Sequence, residues 1–236
     1  MATRTRRSQR RTEALSRAGI VEAAVELLDG AGEGGLTFRA LAERLATGPG
    51  AIYWHVANKG ELLDAATDAV VAAALAGEPA ESPGSPRDEI RVVALGLFDA
   101  IEEHPWLAAQ LSTHLSRSPW GSVTPRIFES VGRQVPALGV PQDGWFTATS
   151  ALVHYILGAA GQNAANSASA RALGAGVGRS EFLDSVSKAW EAFDPDDYPF
   201  TRAVADQLRD HDDREQFLAG IDLVLAGVTA HPPSGD

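Results

Sequence analysis

The side chains with the most chemistry to offer a large polyanion lie between Thr37 and Lys59. Tyr53 carries a phenol that can donate to a phosphate oxygen. His55, Lys59 and the upstream Arg39 bring further N–H donors within reach of the same backbone. Between them, Pro49, Gly50 and Ala51 are small enough for the chain to approach base edges, and Trp54 adds a large apolar surface. Pro49 and Ala51 can touch thymine methyl groups. None of these side chains offers the bidentate hydrogen bonds by which arginine or asparagine tell bases apart, so direct readout is modest. Each residue alone has a plainer reading: Tyr53 as packing, Trp54 as a partly buried anchor, Lys59 as a helix-start charge. The elements that hold them decide between the two.

Thr37 can cap a short helix whose inward stripe is Phe38, Leu41, Ala42 and Leu45, because apolar residues three or four apart share one side of a 3.6-residue period. Ala46-Thr47-Gly48 breaks that pattern. Gly48 would cap the next helix, and Pro49 fits its first position, where no N–H is needed. Ile52 and Val56 turn inward while Gly50, Ala51, Tyr53 and Trp54 stay outside. Asn58 with Glu61 forms a capping box for a third helix, which resumes the apolar stripe at Leu62-Leu63. A helix capped by Ser16, with Ile20, Val21, Ala24, Leu27 and Leu28 inward and a stop at Gly30 to Gly35, braces the pair. Two short helices around a tight reversal make a helix-turn-helix for the major groove.

The stretch Leu36-Thr37-Phe38-Arg39-Ala40-Leu41-Ala42, followed by Gly50-Ala51-Ile52-Tyr53-Trp54-His55-Val56-Ala57-Asn58-Lys59-Gly60-Glu61-Leu62-Leu63, resembles the DNA-binding signature of the TetR family of transcriptional regulators. The resemblance is dense over roughly residues 16 to 64. It implies phosphate contacts from Thr37, Tyr53 and Lys59, and places Pro49, Gly50 and Ala51 near the bases. Gly48 stands where the family commonly has serine, which weakens that cap. The resemblance also implies a homodimer on a palindromic double-stranded operator. A divergent C-terminal domain would bind a small molecule and release DNA, with the helix from Lys59 to Leu75 carrying the displacement. Repression is the family's default.

Charge agrees once divided by position. The net charge is −11, yet residues 1 to 60 carry nine basic and six acidic side chains, a sum of +3 that leaves −14 for the remainder. A basic end beside an acidic body is oriented toward DNA by the field of the whole molecule. Arg4, Arg6, Arg7, Arg10 and Arg11 form an arm that can follow phosphates or enter a minor groove. The expected organisation is all-α: a flexible basic arm over 1–12, a three-helix DNA-binding domain over 13–60, a helical effector-binding and dimerisation domain over 61–231, and a tail over 232–236. The absence of cysteine excludes disulfides, thiolate metal sites and cysteine nucleophiles. No run of eighteen apolar residues occurs and no hydrophobic stretch follows the basic terminus, so a cytoplasmic protein without membrane partners is expected.

Beyond Leu75, glycine and proline between Gly77 and Pro86 interrupt the chain before Ser85, Pro86 and Asp88 restart a helix. Helices then follow near Leu107, from Arg126 to Gln134, from Trp145 through the alanine-rich Ala148 to Ala165, from Ser180 to Phe193, over Pro199 to Leu208, and from Arg214 to Thr229. Phe98, Trp106, Leu107, Leu111, His114, Phe128, Trp145, Phe146, His154 and Trp190 combine apolar area with a few hydrogen-bonding tips, the composition of a pocket for a small, moderately hydrophobic effector. Leu152, Ile156 and Ala159, with Phe217, Leu218, Ile221, Leu225 and Val228, give two helices apolar stripes suited to a symmetric four-helix seam. The histidines lack metal-ligand spacing, Asp194, Asp196 and Asp197 lack the glycine and distal glutamate of a calcium loop, and no phosphate loop follows a strand. No metal, cofactor or catalytic set is expected. An architectural DNA binder with a filled C-terminal core is the main alternative, and a helical enzyme the other.

Overall fold

The computed structural model describes residues 15–76, 84–172, 179–209 and 211–230. The arginines of the arm and the tail over 232–236 lie outside these residues. Every regular element described is helical. The chain divides into two compact units, residues 1–73 and 74–236.

The first unit contains α1 (Arg17–Gly35), α2 (Phe38–Arg44), α3 (Pro49–Tyr53) and most of α4 (Lys59–Leu75). Ser16 caps α1 by accepting from the Gly19 N–H at 3.1 Å. The glycine run does not simply stop α1: helical turns continue to Gly35 across a break at Gly32, whose φ of +63° is open to glycine and costly to other residues. Ile20, Ala24, Leu28, Leu36, Leu41, Ile52 and Val56 are all buried to 1% exposure or less, a small core drawn from α1, α2 and α3 and from the loops that follow α1 and α3. Each large apolar side chain buried in this way contributes about 1.5–3 kcal/mol.

The second unit is arranged around α8 (Trp145–Ala172). It contacts α5 (Pro86–Glu103), α6 (Leu107–Arg117), α7 (Val123–Gly132) and α11 (Asp213–Ala230), while α9 (Arg179–Glu191) packs with the short α10 (Pro199–Val204) and the turn over Ala205–Leu208. At the start of α5 the Ser85 hydroxyl accepts from the Asp88 N–H at 3.2 Å and the Asp88 carboxylate accepts from the Ser85 N–H at 3.3 Å, the reciprocal cap legible in the sequence. Arginines clasp α5 to α11: Arg87 donates to Thr229 at 2.9 Å, Arg91 to Asp222 at 2.9 Å, and Arg214 to Asp99 at 3.1 Å. Those carboxylates hold the Arg91 and Arg214 guanidinium groups above their ordinary pKa.

Most of the residues expected to form the dimer seam are instead buried within one chain. Leu152, Ile156, Phe217, Ile221 and Leu225 are at most 2% exposed within a single chain, and Val228 is 9% exposed. These stripes therefore build the protomer's own core, and Ala159 and Leu218 are half-buried at its edge. Ala151, His154, Gly158, Gln162 and Ala165 recur every three or four residues along the exposed side of α8, and Ala219, Leu223, Ala226 and Gly227 along that of α11.

Candidate nucleic-acid interface

The reversal between α2 and α3 is built from backbone hydrogen bonds. Thr37 caps α2 by accepting from the Ala40 N–H at 3.1 Å, so its hydroxyl serves the helix first. At the other end the Thr47 N–H donates to the Ala42 carbonyl at 2.9 Å and the Ala46 N–H to that of Glu43 at 3.3 Å. This paired closure places its linking residue in the left-handed region, and Ala46 occupies it at φ +50°. Glycine is the residue that adopts this conformation without strain, yet the nearby glycine, Gly48, sits at the α3 cap with an ordinary φ of −90° and no side-chain bond. The sequence thus gives the strained position to alanine and the unstrained one to glycine.

Pro49 opens α3 as expected, and Ile52 is its buried anchor. Pro49 and Gly50 are exposed, Ala51 and His55 half-buried, Tyr53 is 54% exposed and Trp54 90% exposed. Phe38, expected to turn inward, is only half-buried: its ring stacks on that of Tyr53 with centroids 4.3 Å apart and planes 10° apart. That stack fixes the phenol while leaving its hydroxyl outside. Arg39 lies on the open side of α2, its side chain 88% exposed and its Nε donating to Glu43 at 3.0 Å, with its terminal N–H groups directed outward for other acceptors.

A second set of bonds braces this surface from behind. Arg17 donates to the His55 carbonyl and to the Glu61 carboxylate, both at 2.8 Å, and Arg44 pairs with Glu26 across to α1. Asn58 caps α4 by accepting from the Glu61 N–H at 2.9 Å, but the Glu61 carboxylate accepts from the Ala57 N–H rather than from Asn58 itself. The Ala57 hydrogen bond first, and Arg17 second, hold the Glu61 carboxyl below its ordinary value. Lys59 donates to the Glu33 carbonyl at 2.6 Å and lies 4.0 Å from the Glu33 carboxylate, which ties the start of α4 to the end of α1. Arg17 was not singled out in the sequence. Its signal is local: a cation in the first turn of a helix opposes the macrodipole, so a partner from elsewhere is needed to hold it there.

In the second unit the residues expected to line an effector pocket separate into groups. Phe98, Leu107 and Leu111 are at most 2% exposed and His114 is buried, so they belong to the core, with Phe98 against Phe217 at 4.7 Å between ring centroids. Phe128, Trp145 and Phe146 line an open groove of about 510 Å³ between α7 and the start of α8. Trp106, just before α6, and Trp190 on α9 are half-buried and His154 lies on the exposed side of α8, so none of these three joins that groove. Among the described residues no cluster of three metal-ligating side chains occurs, and no helix is long and apolar enough to cross a membrane.

Comparison with known proteins accounts for both units. Residues 20–66 match the family described as bacterial regulatory proteins, tetR family, and residues 78–231 match the tetracyclin repressor-like C-terminal domain. The transcriptional regulator SCO7222, a TetR from Streptomyces coelicolor, is 69% identical, aligns over 93% of this chain and 100% of its own, and superposes with a TM-score of 0.83. BioQ of Mycobacterium smegmatis is 27% identical over 92% of this chain and 99% of its own, with a TM-score of 0.63. An HTH-type transcriptional regulator of Saccharopolyspora erythraea is 35% identical over 66% of this chain, which spans 64% of that relative's length. With one family domain over the braced reversal and a second over most of the remaining helices, the chain belongs to the TetR family of bacterial transcriptional regulators.

Proposed function

We propose that the protein acts as a homodimeric repressor that grips a palindromic operator and lets it go when a small molecule occupies the second unit. One observation carries the DNA-binding reading: α3 offers low side chains at Pro49 and Gly50 beside a phenol fixed by its stack on Phe38. Tyr53, Lys59, Arg39 and His55 would meet phosphates, and Pro49, Gly50, Ala51 and Trp54 the groove. The relative BioQ has been crystallised with its natural double-stranded DNA operator. Two heads related by a twofold axis would read half-sites about 34–36 Å apart, or an adjusted multiple.

The exposed stripes of α8 and α11 support the pairing. Leu223 is 75% exposed between alanines and glycine, a side on which a second copy can approach closely. The effector half of the reading is supported by the tetracyclin repressor-like C-terminal domain match. An effector need only bind the form that fits the operator poorly for DNA to be released. The filled core around Leu107 and Leu111 favours a second reading, a DNA binder that answers to no ligand.

Selection of bound duplexes from a genomic pool tests the first half, with Tyr53→Phe alongside. This variant keeps the stack and loses one phosphate donor, so operator affinity falls roughly ten- to hundredfold per head, the loss of one hydrogen bond to a charged group. Failure to enrich any duplex sinks the proposal. Enrichment that no added small molecule reverses favours the second reading.

A further inference from the structure

We infer that the groove between α7 and the start of α8 is a binding site for a planar aromatic hydroxy acid, an inference that rests on the effector-responsive reading above. At about 510 Å³ the groove falls within the size that holds a small organic ligand. Its wall is aromatic and already ordered. The Phe128 and Phe146 rings lie 6.1 Å apart and 21° from parallel, and the Trp145 indole N–H donates to the Val140 carbonyl at 2.8 Å, which holds the indole in one orientation. Phe146 is nonetheless 74% exposed. Aromatic surface held fixed and left in water is favourably covered by a flat apolar ring system.

Two charged side chains on the rim select the substituents. Arg133 ends α7, Glu129 lies one turn before it, both line the groove, and neither makes an ion pair among the described residues. A guanidinium takes a carboxylate through two parallel hydrogen bonds, and a carboxylate accepts a hydrogen bond from a hydroxyl. A ring carrying both groups satisfies Arg133 and Glu129 together. An aromatic acid lacking the hydroxyl would leave Glu129 facing its carboxylate with no donor between them. Gly132 keeps the floor low: a methyl there would come 3.1 Å from the Thr149 hydroxyl.

The test is calorimetric titration of the full chain with 6-hydroxy-2-naphthoate, whose hydroxyl is remote from its carboxylate, without DNA, using wild type, Arg133→Gln and Phe146→Ala. Both substituted positions are exposed, and thermal melts verify that each variant is folded. Saturable binding to wild type that weakens roughly tenfold or more in each variant supports the site, with 2-naphthoate, which lacks the hydroxyl, binding more weakly than the hydroxy acid. No saturable heat from wild type, or unchanged affinity in both variants, overturns it. So does a fall in mass of Phe146→Ala by light scattering, which would put a second copy over the groove. Because the titration contains no DNA, failed operator selection with intact naphthoate binding overturns the regulator reading alone, and the reverse result overturns this site alone.

Discussion

The phenol of Tyr155 fills the space that a side chain at position 220 would need. A Cβ on Gly220 would lie 1.8 Å from the Tyr155 hydroxyl oxygen, which itself donates to the Phe217 carbonyl at 3.2 Å. This notch lets α11 lie close along α8, with the Tyr155 ring stacked 6.0 Å from that of Phe217. Gly220→Ala should therefore expel the ring and destabilise the second unit by about 1–3 kcal/mol, the usual cost of overpacking. Urea titration checks the loss. A double-mutant cycle with Tyr155→Leu should recover part of it, and strict additivity would show that the two residues do not compete for space.

Ala46 closes α2 in a conformation that costs an L-residue about 1–2 kcal/mol. Ala46→Gly removes that strain while also loosening the unfolded chain, so a net gain of about 1 kcal/mol is expected. The thermal midpoint of the variant should rise with operator affinity unchanged. A lower midpoint would mean that the alanine methyl makes a contact worth more than the strain.

Glu61 links the Ala57 N–H and Arg17, and its carboxyl is held below its ordinary 4.5. A carboxyl depressed on folding stabilises the folded form above its unfolded pKa, and that contribution disappears as pH falls through the folded value. Glu61→Gln should thus be less stable than wild type at neutral pH, with the difference shrinking as pH falls below the ordinary 4.5 and through the lower folded value. Parallel melts from pH 7 to pH 3 read this directly, and a difference that persists into acid would assign the effect to packing instead.

The corrected placement of the α8 and α11 stripes separates two substitutions only two positions apart. Leu223→Arg puts a charge on the exposed side and should give a folded monomer by light scattering, with helical circular dichroism intact. Leu225→Arg forces a charge into a fully buried position, at a cost of several kcal/mol, and should fail to fold. A dimeric Leu223→Arg protein would rule out this face as the seam.

Local chemistry made the DNA-binding head readable. The caps at Ser16, Thr37, Ser85 and Asn58 and the proline opening α3 depend on residues within a few positions of one another, so residue order is enough to find them. Bonds that span the head are another matter. Arg17 reaches His55 and Glu61, and Lys59 reaches Glu33, across separations that spacing along the chain does not reveal. The Phe38 stack on Tyr53 was hidden by the same limit, since a helical period counts Phe38 as core.

The amino-acid order by itself determined that this chain is helical, where most helices begin, and that a reversal with a phosphate-ready surface sits near its basic end. Only the tertiary structure decided which neighbour covers each apolar stripe. Leu152, Ile156, Phe217 and Leu225 have the periodicity of an interface and the burial of a core, because a 3.6-residue repeat says which residues share a side and nothing about whether that side meets the same chain or another. The groove beside Trp145 is of the same kind. Its aromatic rings come from two helices that approach only in the folded unit.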